Sequence, residues 1–162
     1  MVKEQFDYLK MGQDLRKNLI ELKQELKGEA ARKELLALLA GDYSLFTGLL
    51  ENPEPKIRKN AALILGKLGQ DENAKVLYQA YEKEQQRCVK SDYLKALLEL
   101  DCSVCQAQLV ERLTQLEQYR PMEEEEKHIR EELLMLRKLV EKGTAHRKHC
   151  FQGYGDAWEI IL

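Results

Sequence analysis

The stretch IRKNAALILGKL, residues 57–68, places Ile57, Ala61, Ile64, Leu65 and Leu68 at i, i+4, i+7, i+8 and i+11. This is the single apolar stripe of an α-helix that must face a partner. The pattern recurs along the chain. Moving 32 residues on, Val89, Tyr93, Ala96, Leu97 and Leu100 reproduce it position for position. A further 40 residues on, Ile129, Leu133, Leu136, Arg137 and Val140 repeat it with one polar departure at Arg137; 26 residues back from the first copy, Ala31, Leu35, Leu38, Leu39 and Asp42 keep it until the last place. A two-helix unit recurring at about 30 to 47 residues is the signature of an α-solenoid, in which each unit buries its face only against its neighbours. The expected fold is therefore all-α, an α-α superhelix of about four antiparallel helix pairs over residues 1–142, with Ile57, Leu65, Val89, Leu97, Ile129 and Leu133 buried between them.

The punctuation between stripes agrees. Phe6 and Leu9 lie on a short helical pattern that Gly12 stops, and Asp14 is placed to cap a second helix carrying Leu15, Leu19, Leu22 and Leu26 up to Gly28. A third helix runs from Glu29 to Ala40 and is closed by Gly41. The second and third are expected to form the first hairpin and to cap the array. Asp42 or Ser44 opens the next helix, and Asn52-Pro53 ends it, because the residue before proline is driven out of the α region. Helix 57–68 closes at Gly69, an αL stop; Asp71 is placed to cap the helix carrying Ala74, Leu77, Tyr78 and Tyr81; Asp101 or Ser103 caps the one carrying Leu109, Val110, Leu113 and Leu116. Pro121 marks a turn, and Glu123 to Glu126 fall in the first turn of the last helix, where carboxylates are stabilised by unpaired N–H groups.

Composition narrows the function classes. With 26 basic and 28 acidic residues and a formal net charge of -2, no global field draws the chain onto nucleic acid or an anionic membrane, so such a contact has to be a local patch. The longest apolar run, Leu35 to Ala40, is far short of a membrane span, and no charged n-region precedes an apolar h-region. The expectation is a cytoplasmic protein without membrane contact. Four Cys without a secretory signal read as reduced thiols rather than a disulfide framework.

Chemistry-bearing motifs are few. Cys102 and Cys105 form a C-x-x-C, and His146, His149 and Cys150 cluster near the other end, which matches zinc in ligand type. The first pair opens a helix, however, and the second group lacks knuckle spacing, so the thiols read as structural and no metal or cofactor is expected. No Gly-rich phosphate loop, G-x-S-x-G or H-E-x-x-H occurs. The chain by itself is therefore not expected to be an enzyme. Four consecutive glutamates, Glu123 to Glu126, point around most of a helix and cannot converge on a cation. Tyr78, Tyr81 and Tyr93 fall on or near the apolar stripes and read as core rather than as a base-stacking platform.

Leu45-Phe46, Leu49-Leu50, Asn52-Pro53-Glu54-Pro55, Ile57-Arg58, Ala61-Ala62, Leu65-Gly66 and Leu68-Gly69 follow one another in the order of a HEAT repeat, which this region resembles. The match is good over residues 43–70, fair over 71–101, where Val89-Lys90 replaces Ile-Arg, and loose elsewhere. The resemblance implies a superhelix used as a binding surface and implies no chemistry. After Gly143 a basic, polar stretch, Thr144 to His149, gives way to Phe151, Gly153, Tyr154 and Gly155, and then to Trp158 and a β-prone run ending Ile160-Ile161-Leu162. A lone strand has nothing to pair with in a helical array. Residues 143–162 are thus expected to be a tail leading into a following domain of a longer protein. The His149-x-Phe151-x-Gly153-Tyr154 stretch is similar to the junction at which, in a group of bacterial proteins, a HEAT-like region enters a THUMP-type RNA-binding and methyltransferase portion.

Two readings follow. The first is a non-catalytic HEAT-like module that docks a macromolecular partner, a protein or a structured RNA such as tRNA or rRNA, on the surface formed by successive helices. The alternative is the N-terminal substrate-positioning module of a larger SAM-dependent RNA methyltransferase, with the catalytic domain following in cis. Both use a ridge of cations: Arg58, Lys59, Lys90, Arg130 and Arg137 on successive helices, extended by Arg147 and Lys148, with Lys67, Lys95, Lys138 and Lys142 nearby. Each helix also carries Glu or Asp, so solvated surface charge accounts for any one of these cations alone.

Overall fold

A computed structural model describes the backbone of residues 2–152 and the side chains of residues 2–144. Within them the chain is all-α, with no strand. The α-helices are α1 (Val2–Lys10), α2 (Leu15–Glu25), α3 (Glu29–Leu39), α4 (Ser44–Leu49), α5 (Pro55–Leu68), α6 (Ala74–Lys83), α7 (Arg87–Leu97), α8 (Gln106–Gln118) and α9 (Glu126–Gln152). Short 3-10 turns, Asp71–Asn73, Ser103–Cys105 and Glu123–Glu125, lead into α6, α8 and α9.

Local chemistry sets most of the boundaries. Gly12, Gly41 and Gly69 all adopt positive φ at or just beyond helix ends, the backbone that favours glycine. Asn52 Oδ1 accepts the Glu54 amide at 2.9 Å, closing an Asx turn over Pro53, and Pro55 then supplies the first residue of α5, where its missing N–H costs nothing. Asp42 Oδ1 accepts the Ser44 amide at 3.0 Å, and Asp101 Oδ1 accepts both the amide and the hydroxyl of Ser103.

Three local expectations are corrected. Asp14 precedes α2 but sits in the left-handed region at φ 43°, and its side chain caps nothing. The αL residue ending α3 is Ala40, at φ 50°, with Gly41 following it. Asp71 does not cap its own helix; its carboxylate accepts the Asp101 amide at 2.9 Å and ties two loops together. α9 also runs on past Gly143 to Gln152. Gly143 makes room within it: the Gln106 side chain lies against Gly143 and donates to the Val140 carbonyl at 3.2 Å.

The helices pack in a regular order. α2 packs on α5, α5 on α7 and α7 on α9, while α1, α4, α6 and α8 each pack on the helix that follows them, α2, α5, α7 and α9 respectively. α3 lies against α1 and, more lightly, α5, so α2 and α3 do not form the expected hairpin. The row therefore begins with α2, whose Leu19, Leu22 and Leu26 are buried and Leu15 half-buried, at the same spacing as Ile57, Ala61, Ile64 and Leu68. The fourth copy of the stripe is α2 rather than residues 31–42. Lys23 takes the place that Leu65 holds in α5.

The stripes themselves are buried as expected. Ile57, Leu65, Val89, Leu97 and Ile129 are in the core, and Leu133 is half-buried against it. Tyr81 and Tyr93 are among the largest fully buried side chains, and Tyr78 is nearly so.

Candidate functional site

The cations read from the sequence have different fates. Arg58 forms a two-toothed ion pair with Glu84, Nε to Oε1 at 2.9 Å and Nη2 to Oε2 at 2.8 Å, while its Nη1 donates to the Asn52 and Pro53 carbonyls. Glu84 also accepts the Gln86 amide and the Tyr93 hydroxyl, so this pair clamps the loop before α5 to the loop before α7. Lys90 stands in α7 where Arg58 stands in α5 and does a related job: its ammonium donates to the Tyr81 carbonyl in the last turn of α6 at 2.8 Å. Arg130, at the same place in α9, is exposed and has no partner among the described residues. Arg137 pairs at the surface with Glu117 at 3.4 Å. Arg147 and Lys148 lie outside the residues whose side chains are described, as do His146, His149 and Cys150. Arg58 is thus spent inside the fold, Lys90 is buried against α6, and only Lys59 joins the grouping that follows.

That grouping lies across α2, α5 and α7. Lys23, Lys27, Lys67 and Lys95 border a groove of about 380 Å³ floored by Leu63 and Ala96. Lys23 donates to Asn60 Oδ1 at 2.8 Å, and Asn60 in turn donates to the Lys56 carbonyl, which fixes the ammonium at the groove wall. Burial holds the Lys23 ammonium below the usual lysine range, and the like charges of Lys59, Lys67 and Lys27 push the same way. Opposing charge is present too: the exposed Glu99 carboxylate lines the same groove. Asp92 is buried, and Lys95 approaches it at 3.8 Å. Desolvation raises the Asp92 carboxyl, with Lys59, Lys95 and Lys23 pulling it back down. Among the described residues, Lys23, Lys27, Lys59 and Lys67 form no ion pair. Sequence reasoning missed Lys23 and Lys27 because it assigned the first stripe copy to residues 31–42; the spacing of Leu15, Leu19, Leu22 and Leu26 is the signal that α2 belongs to the row.

A second polar centre lies between α6, α7, α8 and α9. Glu132 is fully buried and accepts from the Tyr81 hydroxyl, from Arg112 Nη2 at 3.1 Å and from Arg87 Nη1 at 3.5 Å. Arg112 Nε donates to the Tyr81 oxygen at 3.0 Å, and Arg87 Nε reaches Glu125 at 3.2 Å. Glu125 also accepts the Tyr119 hydroxyl and the Met122 amide, so one of the four clustered glutamates brackets a turn. Burial, with the Glu132 charge beside it, pushes the Tyr81 phenol far above the ordinary tyrosine range. No sequence motif announces this centre, because its members are spread from residue 81 to residue 132.

The thiols are set inward at one point. Cys102 and Cys105 are buried while Cys88 is exposed, and burial pushes the Cys102 thiol up to about 12. Among the described residues no three His, Cys, Asp or Glu side chains group to hold a metal ion, and no helix is long and apolar enough to cross a membrane. No family model, no curated protein and no solved structure matches this chain.

Proposed function

We propose that the chain is a non-catalytic HEAT-like helical-repeat module, with α2, α5, α7 and α9 as the inner layer of an α-α superhelix, and that it docks a structured RNA on that layer. The observation carrying the reading is the convergence of Lys23 of α2, Lys27 of the turn after it, Lys67 of α5 and Lys95 of α7 on one groove. Set against Glu99 and Asp92, the four lysines still outnumber the carboxylates and repel one another, and a phosphate backbone laid along them removes that repulsion and releases its own counterions. Lysine ammoniums contact phosphates as point charges without reading bases, so sequence preference should be slight. With a net charge of -2 over the chain, binding should be weak and confined to low salt.

The narrower reading, a substrate-positioning module ahead of a SAM-dependent RNA methyltransferase domain, rests on the resemblance of residues 149–162. There only the backbone of residues 149–152 is described, as the end of α9. The experiment is a titration of labelled tRNA at low and rising salt against the chain and against Lys27→Glu/Lys67→Glu/Lys95→Glu. Expected are saturable binding, a log–log salt slope of about -0.7 to -0.9 per phosphate contacted, and loss of binding in the triple variant. Undetectable binding at low salt, or binding that ignores the reversal, overturns the RNA reading in favour of a protein partner.

A further inference from the structure

The cleft between α6 and α8 has a volume of about 200 Å³ and is lined by Tyr78, Tyr81, Lys90 and Arg112, with Glu82 and Glu111 at its rim. It is smaller than the roughly 300–1,000 Å³ of a drug-sized pocket, so its occupant has to be small. At its floor Lys90 is 8% exposed, and its ammonium lies 4.6 Å over the Tyr81 ring. An ammonium carries three donors. One goes to the Tyr81 carbonyl and one side faces the ring, which leaves a donor unfilled. Burial holds this ammonium below the ordinary lysine range.

The neighbouring carboxylates, Glu132 and Glu84, favour the Lys90 charge through space without a hydrogen bond to it. Glu132 already accepts from Tyr81, Arg87 and Arg112, and it forms no ion pair with Lys90. Arg112 uses Nε and Nη2, and its Nη1 has no hydrogen-bond partner among the described residues. A buried cation costs free energy unless paired; Arg112 has Glu132 as its partner, whereas Lys90 has no carboxylate hydrogen-bonded to it among the described residues. The amide of Gln108, also in the lining, adds a donor for a second oxygen, while the Gln115 amide donates to Glu111 at 3.4 Å. At the rim, Glu82 and Glu111 are exposed and negative, which repels a dianion or a polyanion and attracts a cationic group.

We propose that this cleft binds a small zwitterion of the α-amino acid type, its carboxylate on Lys90 and Arg112 and its ammonium toward Glu82 and Glu111. The site lies apart from the lysine groove, so the two proposals stand or fall separately. The test uses the whole chain and three probes followed by amide chemical shifts of α6 and α8: L-alanine, propionate, which is the same skeleton without the ammonium, and inorganic phosphate. Expected is saturable binding of alanine, severalfold tighter than propionate and tighter than phosphate. Lys90→Gln should abolish it. Because that variant removes a contact to α6, Glu111→Gln serves as the second arm; it lies at the surface and should bring alanine down to the propionate level with helix content unchanged. The proposal fails if neither alanine nor propionate saturates, if phosphate binds best, or if Glu111→Gln leaves the preference for alanine intact.

Discussion

Gly66 in α5 lies so close to Ala96 in α7 that a Cβ added to the glycine would stand 2.7 Å from the Ala96 Cα and 2.9 Å from its carbonyl oxygen. Both neighbours are backbone and cannot swing aside, so the two helices approach at this distance only because position 66 is glycine. Gly66→Ala should destabilise by about 1–3 kcal/mol through overpacking, despite the better helix propensity of alanine. Gly48 in α4 supplies the contrast, since nothing lies within 4 Å of its virtual Cβ. Gly48→Ala should stabilise by about 0.4–1 kcal/mol, the gain expected when unfolded-chain entropy is reduced without strain. Denaturant midpoints for the pair give the check; equal shifts would mean that α5 and α7 are not held at this separation.

Ala40 ends α3 in the left-handed conformation, φ 50° and ψ 42°, with its amide donating to the Leu36 carbonyl. A Cβ in this region costs roughly 1–2 kcal/mol, and glycine avoids it. Ala40→Gly should therefore raise stability by about 1 kcal/mol even though the residue is exposed and loses nothing but a methyl group. Thermal unfolding of the single variant suffices. A lower midpoint would place the αL turn at Gly41 alone, as the sequence suggests.

Much of the row is legible in the sequence because Ile57, Val89 and Ile129 start stripes whose spacing follows from helix geometry alone. The first helix of the row is not, because α2 carries Lys23 at the place where α5 carries Leu65, and a strict apolar match selects residues 31–42 instead. Lys23 is tolerated there because it is only partly buried and its head meets Asn60. The cation sites are hardest to read. Arg58 looks like surface charge in sequence, and its true role depends on Glu84, which lies 26 residues on. Glu132 sits within a run of charged residues, and only the stacking of α6, α7 and α8 around it reveals it as buried.

The Arg58–Glu84 pair gives stability a pH dependence whose sign is fixed. Burial alone would raise the Glu84 carboxyl, but the hydrogen bond from Arg58, the Gln86 amide and the Arg58 charge outweigh it and hold the group below its usual value of 4.5. Its folded value being depressed, the stabilisation is present above the unfolded value and is lost as pH falls through the folded one. Glu84→Gln should cost about 3 kcal/mol near neutral pH, by stranding Arg58. Its difference from the parent should shrink below about pH 4 as the parent carboxyl protonates. Urea unfolding at a series of pH values follows the gap; a gap constant down to pH 3 would show that the charge of Glu84 is not what Arg58 holds.

Glu132 is the reverse kind of case, a carboxylate with no exposure to solvent, ringed by donors from three helices. Its removal leaves Arg87 and Arg112 without their buried acceptor, and breaking a buried ionic cluster from one side costs about 3–5 kcal/mol. Glu132→Gln keeps the shape, so the loss it causes should come from charge and not from a cavity. Tyr81→Phe should cost less, about 1–2 kcal/mol, since it deletes one hydrogen bond to Glu132 and one accepted from Arg112 while keeping the ring that fills the core. The two share partners, so the double variant should fall short of the sum of the singles. Strict additivity across that double-mutant cycle would mean that the tyrosine and the glutamate stabilise the α6–α9 region independently, and that the cluster is not one unit.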